Sequence, residues 1–254
     1  MNQRTAEKLN YGNWVSARLL YMTGVLGGLF AALSLLVPWL AIFAGIFFAC
    51  FAYFACARWY FSPGGGNIQA RIQSLLVDHF ELAGAGKVLD IGCGSGAVTI
   101  MVAKKYPDTH VTGIDNWGGA WEYSKGVCER NAQIEGVNDR VAFQKASASA
   151  LPFDDESFDA VISNLTFHEV ADTKDKGLLI KEALRVLKKG GVFAFQDLFL
   201  WKRVYGEVED LLGRVRSWGV ESVEWINTSQ SQFIPKALKL PFMIGTIGIL
   251  RGKK

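Results

Sequence analysis

In VLDIGCGSGAVTI, residues 88–100, an apolar run ends in Asp90 and Ile91, and three glycines, Gly92, Gly94 and Gly96, precede a second apolar run. Glycines at alternate positions after a strand let the chain turn sharply and admit a ligand against the backbone. The helix that follows offers free N–H groups to a carboxylate or phosphate. About twenty residues later a second strand-like run ends in GID, which places Asp115 where a carboxylate accepts both hydroxyls of a ribose. A nucleoside-bearing ligand is the working expectation. Among three histidines only His168, in SNLTFHEV, lies near that chemistry. An ordinary imidazole pKa of about 6.5 suits it to take a proton from a hydroxyl or an acidic carbon, but a loop-stabilising role is the more ordinary one for a histidine in this segment. Glu169 reads as a capping or loop residue. Asp197, closing FAFQD, either faces an acceptor or is solvated.

The elements that must position these residues alternate. Strand-like runs at Lys87–Ile91, His110–Ile114, Val141–Gln144, Ala160–Asn164 and Gly191–Asp197 are separated by helical runs through Val98–Tyr106, Trp121–Glu135 and Lys176–Leu187. Helices of this length between strands predict an α/β fold with a parallel sheet, helices on both faces, and ligands at the carboxyl ends of the strands. An amphipathic helix leads in, with Ile68, Ile72, Leu75, Leu76 and Phe80 on its apolar side.

VLDIGCGSG, followed in order by GID, ALPFDDESFDAVISNLTFHEV and EALRVLKKGGVFAFQD, resembles the motifs of the class I S-adenosylmethionine-dependent methyltransferases over roughly residues 70–200. The resemblance implies a Rossmann-like three-layer sandwich with a mostly parallel seven-stranded sheet, completed by SVEWINT and MIGTIGILRGK. It implies S-adenosylmethionine as cofactor, bordered by Asp90, Gly92, Cys93, Gly94, Gly96, Asp115, Asn116, Trp117, Ser147, Ala148 and Asn164. Asp90 would lie near the amino-acid end, Asp115 on the ribose and Trp117 against adenine or simply in the core. Two departures stand out: Ser147 occupies a position where the family often has an acid that bonds the adenine amino group, and NWGGAWEYSKGVCERNA is about one helical turn longer than usual. Asn164 is followed by Leu165 rather than Pro-Pro-aromatic, which lowers nucleic-acid and protein amino groups as acceptors.

The first sixty residues are different in kind. From Leu19 to Ala57 no residue is charged. One helix of that length would run about 58 Å against a hydrocarbon core of about 30 Å, so division at Pro38 into helices over about 19–37 and 39–57 predicts a transmembrane hairpin within residues 1–61. Arg4, Lys8, Arg18 and Arg58 flank it, placing both ends in the cytoplasm, and Trp39 would sit at the interface opposite Trp59 and Tyr60. SPGGGN, residues 62–67, reads as a short flexible joint, and residues 68–254 as the methyltransferase domain. Gly24, Gly27, Gly28 and Gly45 would allow close helix packing within or between chains.

Composition excludes other classes. Half the residues are hydrophobic, and a net charge of +3 without a basic stripe makes nucleic acid an unexpected partner. Cys50, Cys56, Cys93 and Cys128 form no CxxC pair, and the histidines show no metal-ligand spacing. LFLWKRVYG and FIPKALKLPFMIG, with Lys202, Arg203, Lys236 and Lys239, have the composition of a surface against anionic lipid or of a core with snorkelling lysines. The expected activity is methyl transfer to a small, apolar or lipid-like acceptor at the cytoplasmic membrane face. A nicotinamide-dependent membrane reductase and a non-catalytic cofactor-binding subunit are the alternatives.

Overall fold

A computed structural model describes residues 8–118 and 123–254, which form two compact units. Residues 12–71 make up one; residues 8–11, 72–118 and 123–254 make up the other.

The smaller unit is built on a helical hairpin. Ser16 caps α1 (Ala17–Ser34) by accepting a hydrogen bond from the Arg18 N–H (3.2 Å), and α2 (Ala41–Phe61) follows a single tight turn at Pro38–Leu40. Helix α1 stops three residues short of the expected end because the residue before Pro38, Val37, is extended (φ −131°, ψ 90°). Helix α2 continues past the expected Ala57 to Phe61. Phe30 stacks on Phe43 and Phe47 (5.4 and 5.5 Å between centroids). A Cβ at Gly27 would lie 2.9 Å from the Phe48 ring and one at Gly24 3.1 Å from Phe51, so these two glycines admit α2 aromatics, whereas Gly28 and Gly45 face nothing within 4 Å. Both helices are long and apolar enough to cross a membrane. Their outer sides expose Tyr21, Val25, Leu29, Ile42 and Ile46, and the turn exposes Leu35, Leu36 and Trp39. At the other end of the hairpin the Arg58 guanidinium donates to the Val15 carbonyl, Asn13 Nδ2 donates to the Arg58 carbonyl (2.9 Å), and Trp14 meets Phe61 edge-on. Residues 62–67 hold a tight turn at Pro63–Gly65 in which Gly65 is buried. Arg4 lies outside the described residues.

Helix α3 (Ile68–Asp78) leads into the larger unit. Its seven-stranded sheet has the order β3-β2-β1-β4-β5-β7-β6, with β1 Lys87–Ile91, β2 His110–Asp115, β3 Val141–Lys145, β4 Phe158–Asn164, β5 Leu187–Asp197, β6 Ser222–Asn227 and β7 Gly248–Lys253. All pairings are parallel except those of β7, which runs antiparallel to β5 and β6. The connecting helices are α4 (Ala97–Lys105), α5 (Lys125–Ile134), α6 (Gly177–Val186), α7 (Lys202–Tyr205) and α8 (Val208–Ser217). One apolar cluster gathers Leu76, Phe80, Val98, Ile100 and Ile162, and a second gathers Phe167, Leu179, Phe193, Phe195 and Leu211. This is the Rossmann-like sandwich expected, and its strand order reverses between β1 and β4, where such sheets bind ligands.

Local boundaries differ where tertiary pairing overrides composition. Strand β5 begins at Leu187 rather than Gly191, because Phe158 pairs with Leu187 before a register shift that Gly190 (φ 76°) accommodates. Helix α5 is capped by Ser124, which accepts from the Val127 N–H (3.3 Å). The start expected at Trp121, and the centre of the lengthened loop, lie outside the described residues.

Candidate active site

The glycine loop leaves β1 with Gly92, Gly94 and Gly96 at φ 76°, 55° and 81°. The N–H groups of Gly92 and Cys93 both donate to the Ile114 carbonyl (2.8 and 2.9 Å), lashing the loop to β2. On its other side Thr166 Oγ1 lies 3.2 Å from the Ile91 carbonyl oxygen and 3.3 Å from that of Gly92. Beneath it Asp90 is fully buried; Oδ2 accepts from Thr99 Oγ1 (2.6 Å), and Oδ1 has no hydrogen-bond partner among the described residues. Burial pushes this carboxyl up to about 7, with Thr99 opposing and the Asp115 charge adding to the rise.

Asp115 at the end of β2 accepts the Gly94 N–H on Oδ2 (2.9 Å) and the Trp117 N–H on Oδ1 (2.7 Å), and each oxygen keeps a lone pair. Trp117 is not a free wall: its indole N–H donates to the Gly94 carbonyl (2.9 Å), and its ring packs on the core cluster that contains Cys93 and Phe143. Cys128 Sγ contacts that same carbonyl (3.1 Å). Cys93 and Cys128 are both buried, and Asn116 is exposed.

A strap outside the expected site lies against the loop. Asn131 on α5 accepts the Asn10 N–H (2.9 Å) and donates Nδ2 to the carbonyls of Asn10 (2.8 Å) and Ser95 (3.0 Å), while Ser95 Oγ donates to the Tyr11 carbonyl (3.0 Å).

At the end of β4, the Oδ1 of Asn164 is buried without a partner among the described residues, and its register partner on β5, Gln196, buries both amide atoms in the same state. His168 Nδ1 lies 2.7 Å from Asp197 Oδ1, and its Nε2 3.4 Å from Glu169 Oε1. Asp197 is not solvated as its strand-end position allowed: it is wholly buried and also accepts the N–H groups of Phe167 (2.9 Å) and Leu198 (2.7 Å). Burial lowers the His168 pKa, but the Asp197 charge and hydrogen bond, with help from Glu169, outweigh it and raise it to about 10. Ser147 follows β3, next to buried Ala148, with its hydroxyl 2.8 Å from Ser149 Oγ.

The family profile described as "Methyltransferase domain" matches residues 89–195, which run from the strand before the glycine loop through β5. The chain is 33% identical over 165 residues to 27-O-demethylrifamycin SV methyltransferase of Amycolatopsis mediterranei, covering 64% of this chain and 56% of that one. Residues 89–195 form a methyltransferase domain of the class I S-adenosylmethionine-dependent type. Sterol 24-C-methyltransferase erg6 of Aspergillus fumigatus is 34% identical over 129 residues, covering 50% of this chain and 32% of that one. Demethylmenaquinone methyltransferase of Staphylococcus aureus is 32% identical over 157 residues, covering 58% and 61%. The chain thus spans about half the length of the curated relatives it matches. In fold it resembles a geranyl diphosphate methyltransferase solved with S-adenosylmethionine (TM-score 0.55, 14% identity, covering 76% of this chain and 91% of that one).

S-adenosylmethionine is the cofactor of this methyltransferase domain, and the residues present fit it. A buried carboxylate with one unpartnered oxygen suits a cationic end, and Asp115 retains acceptors for a ribose diol. Because the free protein holds Asp90 near 7, cofactor affinity should rise with pH up to about 7 and then level, each unit below costing up to tenfold. Calorimetry at pH 5.5 to 8.5 in buffers of different ionisation heat checks this through proton release; flat affinity would show that Asp90 does not ionise on binding.

Sequence reasoning did not find Thr99, Thr166, Asn131 or Gln196. Thr99 alone had a local signal, as a hydroxyl on the first turns of the helix after the loop. The others reach the site through long-range packing.

Proposed function

We propose that this protein transfers a methyl group from S-adenosylmethionine to a small, apolar or lipid-like acceptor at the cytoplasmic face of a membrane that α1 and α2 span. The observation that carries this reading is the uncharged hairpin, whose large apolar side chains face outward over its length, joined to a methyltransferase domain. Lys8, Arg18 and Arg58 at its ends favour the cytoplasmic side. Two relatives carry a sterol and a demethylmenaquinone in their names, which supports an apolar ring system as acceptor class. Phe242 and Leu240 stand exposed near Lys236 and Lys239, as a lipid-facing surface requires, whereas Lys202 is already paired with Glu207 (2.8 Å).

The sulfonium supplies an activated methyl group, so the protein's task is alignment of the acceptor and management of its proton. Asn164 and Gln196 offer buried acceptor and donor atoms to a polar group on an otherwise apolar acceptor. His168 is oriented by Asp197 as a general base would be, yet its raised pKa leaves it protonated at neutral pH. We therefore read it as a cationic clamp on the loop after β4; the base reading requires turnover to climb with pH toward about 10.

Full-length protein in nanodiscs, incubated with methyl-labelled S-adenosylmethionine and native membranes, should place label in the lipid extract, and Asp115→Ala should abolish it. Label confined to the aqueous fraction would sink the apolar-acceptor reading. Binding without any transfer would favour the non-catalytic subunit, and NADH binding in place of the sulfonium would favour the reductase.

A further inference from the structure

The sheet sets the direction in which a bound nucleoside lies. With the amino-acid end over Asp90 at the end of β1 and the ribose on Asp115 at the end of β2, the base continues toward β3, the outer strand on that side. The Ala146 N–H donates to the Asp115 carbonyl (3.1 Å), so the residues the base meets are Ser147 to Ala150, where Ser147 and Ala150 form a bridge. Adenine shows an exocyclic amine there, whereas hypoxanthine shows a carbonyl. A lone serine hydroxyl distinguishes them weakly, because it rotates to donate or accept.

The loop after β4 brings the charge that β3 lacks. Asp172 Oδ2 lies 2.7 Å from Ser149 Oγ and 3.5 Å from Ser147 Oγ, and the two hydroxyls are 2.8 Å apart. Their protons are committed to one another and to the carboxylate, which leaves acceptors as the free face of the group. The bond from Ser149 leads those that hold the Asp172 carboxyl below the usual range, so it is anionic at neutral pH. The loop is pinned: Lys176 Nζ donates to the carbonyls of Val170 and Thr173, and Asp175 accepts from both Arg214 Nη atoms (3.1 and 2.6 Å).

We propose that Asp172, an exposed residue of the loop after β4 acting with Ser149 and Ser147, selects adenine over an oxo-purine at the base end of the cofactor. This rests on the cofactor assignment above and adds the residue that reads the base.

Calorimetric titration of the full-length protein in nanodiscs with S-adenosylhomocysteine and with its inosine counterpart tests it. The wild type should prefer the adenosyl ligand by about tenfold or more, the effect of a charge-assisted hydrogen bond. Asp172→Asn, of the same shape but presenting a donor, should bring that ratio to about one or below, and Ser147→Asp in an Asp172→Ala background should restore it. A merely loop-anchoring role would weaken both ligands equally; a ratio unchanged in Asp172→Asn overturns the proposal, as does failure of Ser147→Asp to restore it. Binding of neither ligand by the wild type would overturn the cofactor assignment instead.

Discussion

Gly92→Ala is expected to abolish saturable S-adenosylmethionine binding and to destabilise the protein by about 3 kcal/mol or more. Two independent costs combine. Gly92 has φ 76°, a left-handed conformation that costs an L-residue roughly 1–2 kcal/mol. An added Cβ would also lie 2.0 Å from Thr166 Oγ1, 2.2 Å from its Cγ2 and 2.5 Å from its Cβ. Thr166 cannot simply swing away, because its hydroxyl lies against the Ile91, Gly92 and Asn164 carbonyls and holds the β1 and β4 loops together. Thr166→Gly in the Gly92→Ala background removes the collision and leaves the backbone strain, so it should recover stability in part. Denaturant titration and calorimetry check both effects; wild-type affinity in Gly92→Ala would refute the packing of these two loops.

Asp197→Ala should cost about 3–5 kcal/mol at neutral pH, since it removes the charge that keeps buried His168 protonated and the acceptor of the Phe167 and Leu198 N–H groups. The cost has a defined pH dependence. The folded His168 pKa is raised to about 10 from 6.5, so the stabilisation it carries is complete below about 6.5 and is lost progressively as pH rises through about 10. The gap in stability between wild type and Asp197→Ala should therefore narrow between those limits, leaving above them the part due to the two backbone hydrogen bonds. Asp197→Asn should bring the His168 titration, followed by imidazole NMR, down toward its ordinary range. A constant gap from pH 6 to 10, or an unshifted titration in Asp197→Asn, would show that the pair is not an ion pair.

Patterns with a short period carried most of the fold. The runs that became β1, β2 and β4 are apolar and bounded by polar or glycine residues, and a strand needs no more than that to declare itself. The start of β5 is the opposite case: the sequence pattern ends a helix at Leu187 and starts the strand at Gly191, yet pairing with Phe158 draws Leu187 into the strand. The glycines after α2 show the same dependence on surroundings. Three glycines signal freedom when nothing packs on them, but Gly65 sits where a Cβ would fall 1.7 Å from the Trp59 carbonyl oxygen.

The sequence by itself determined the class of the domain, through the order of its motifs, and the glycine spacing and Asp115 gave the expectation of a nucleoside ligand because a backbone turn and a diol acceptor are local requirements met by residue type. It determined the hairpin as well, since the absence of charge from Leu19 to Ala57 needs no partner to be legible. Only the tertiary structure decided which side chains complete the site. Asp197 is buried and bonded to His168, 29 residues away; Asp172 reaches Ser149 across 23 residues; Asn131 holds Asn10 across 121. The physical reason is that burial and hydrogen-bond partnership are properties of the space around a residue. Where the chain brings distant segments together, residue type fixes what a group is able to do, and the packing around it fixes what it does.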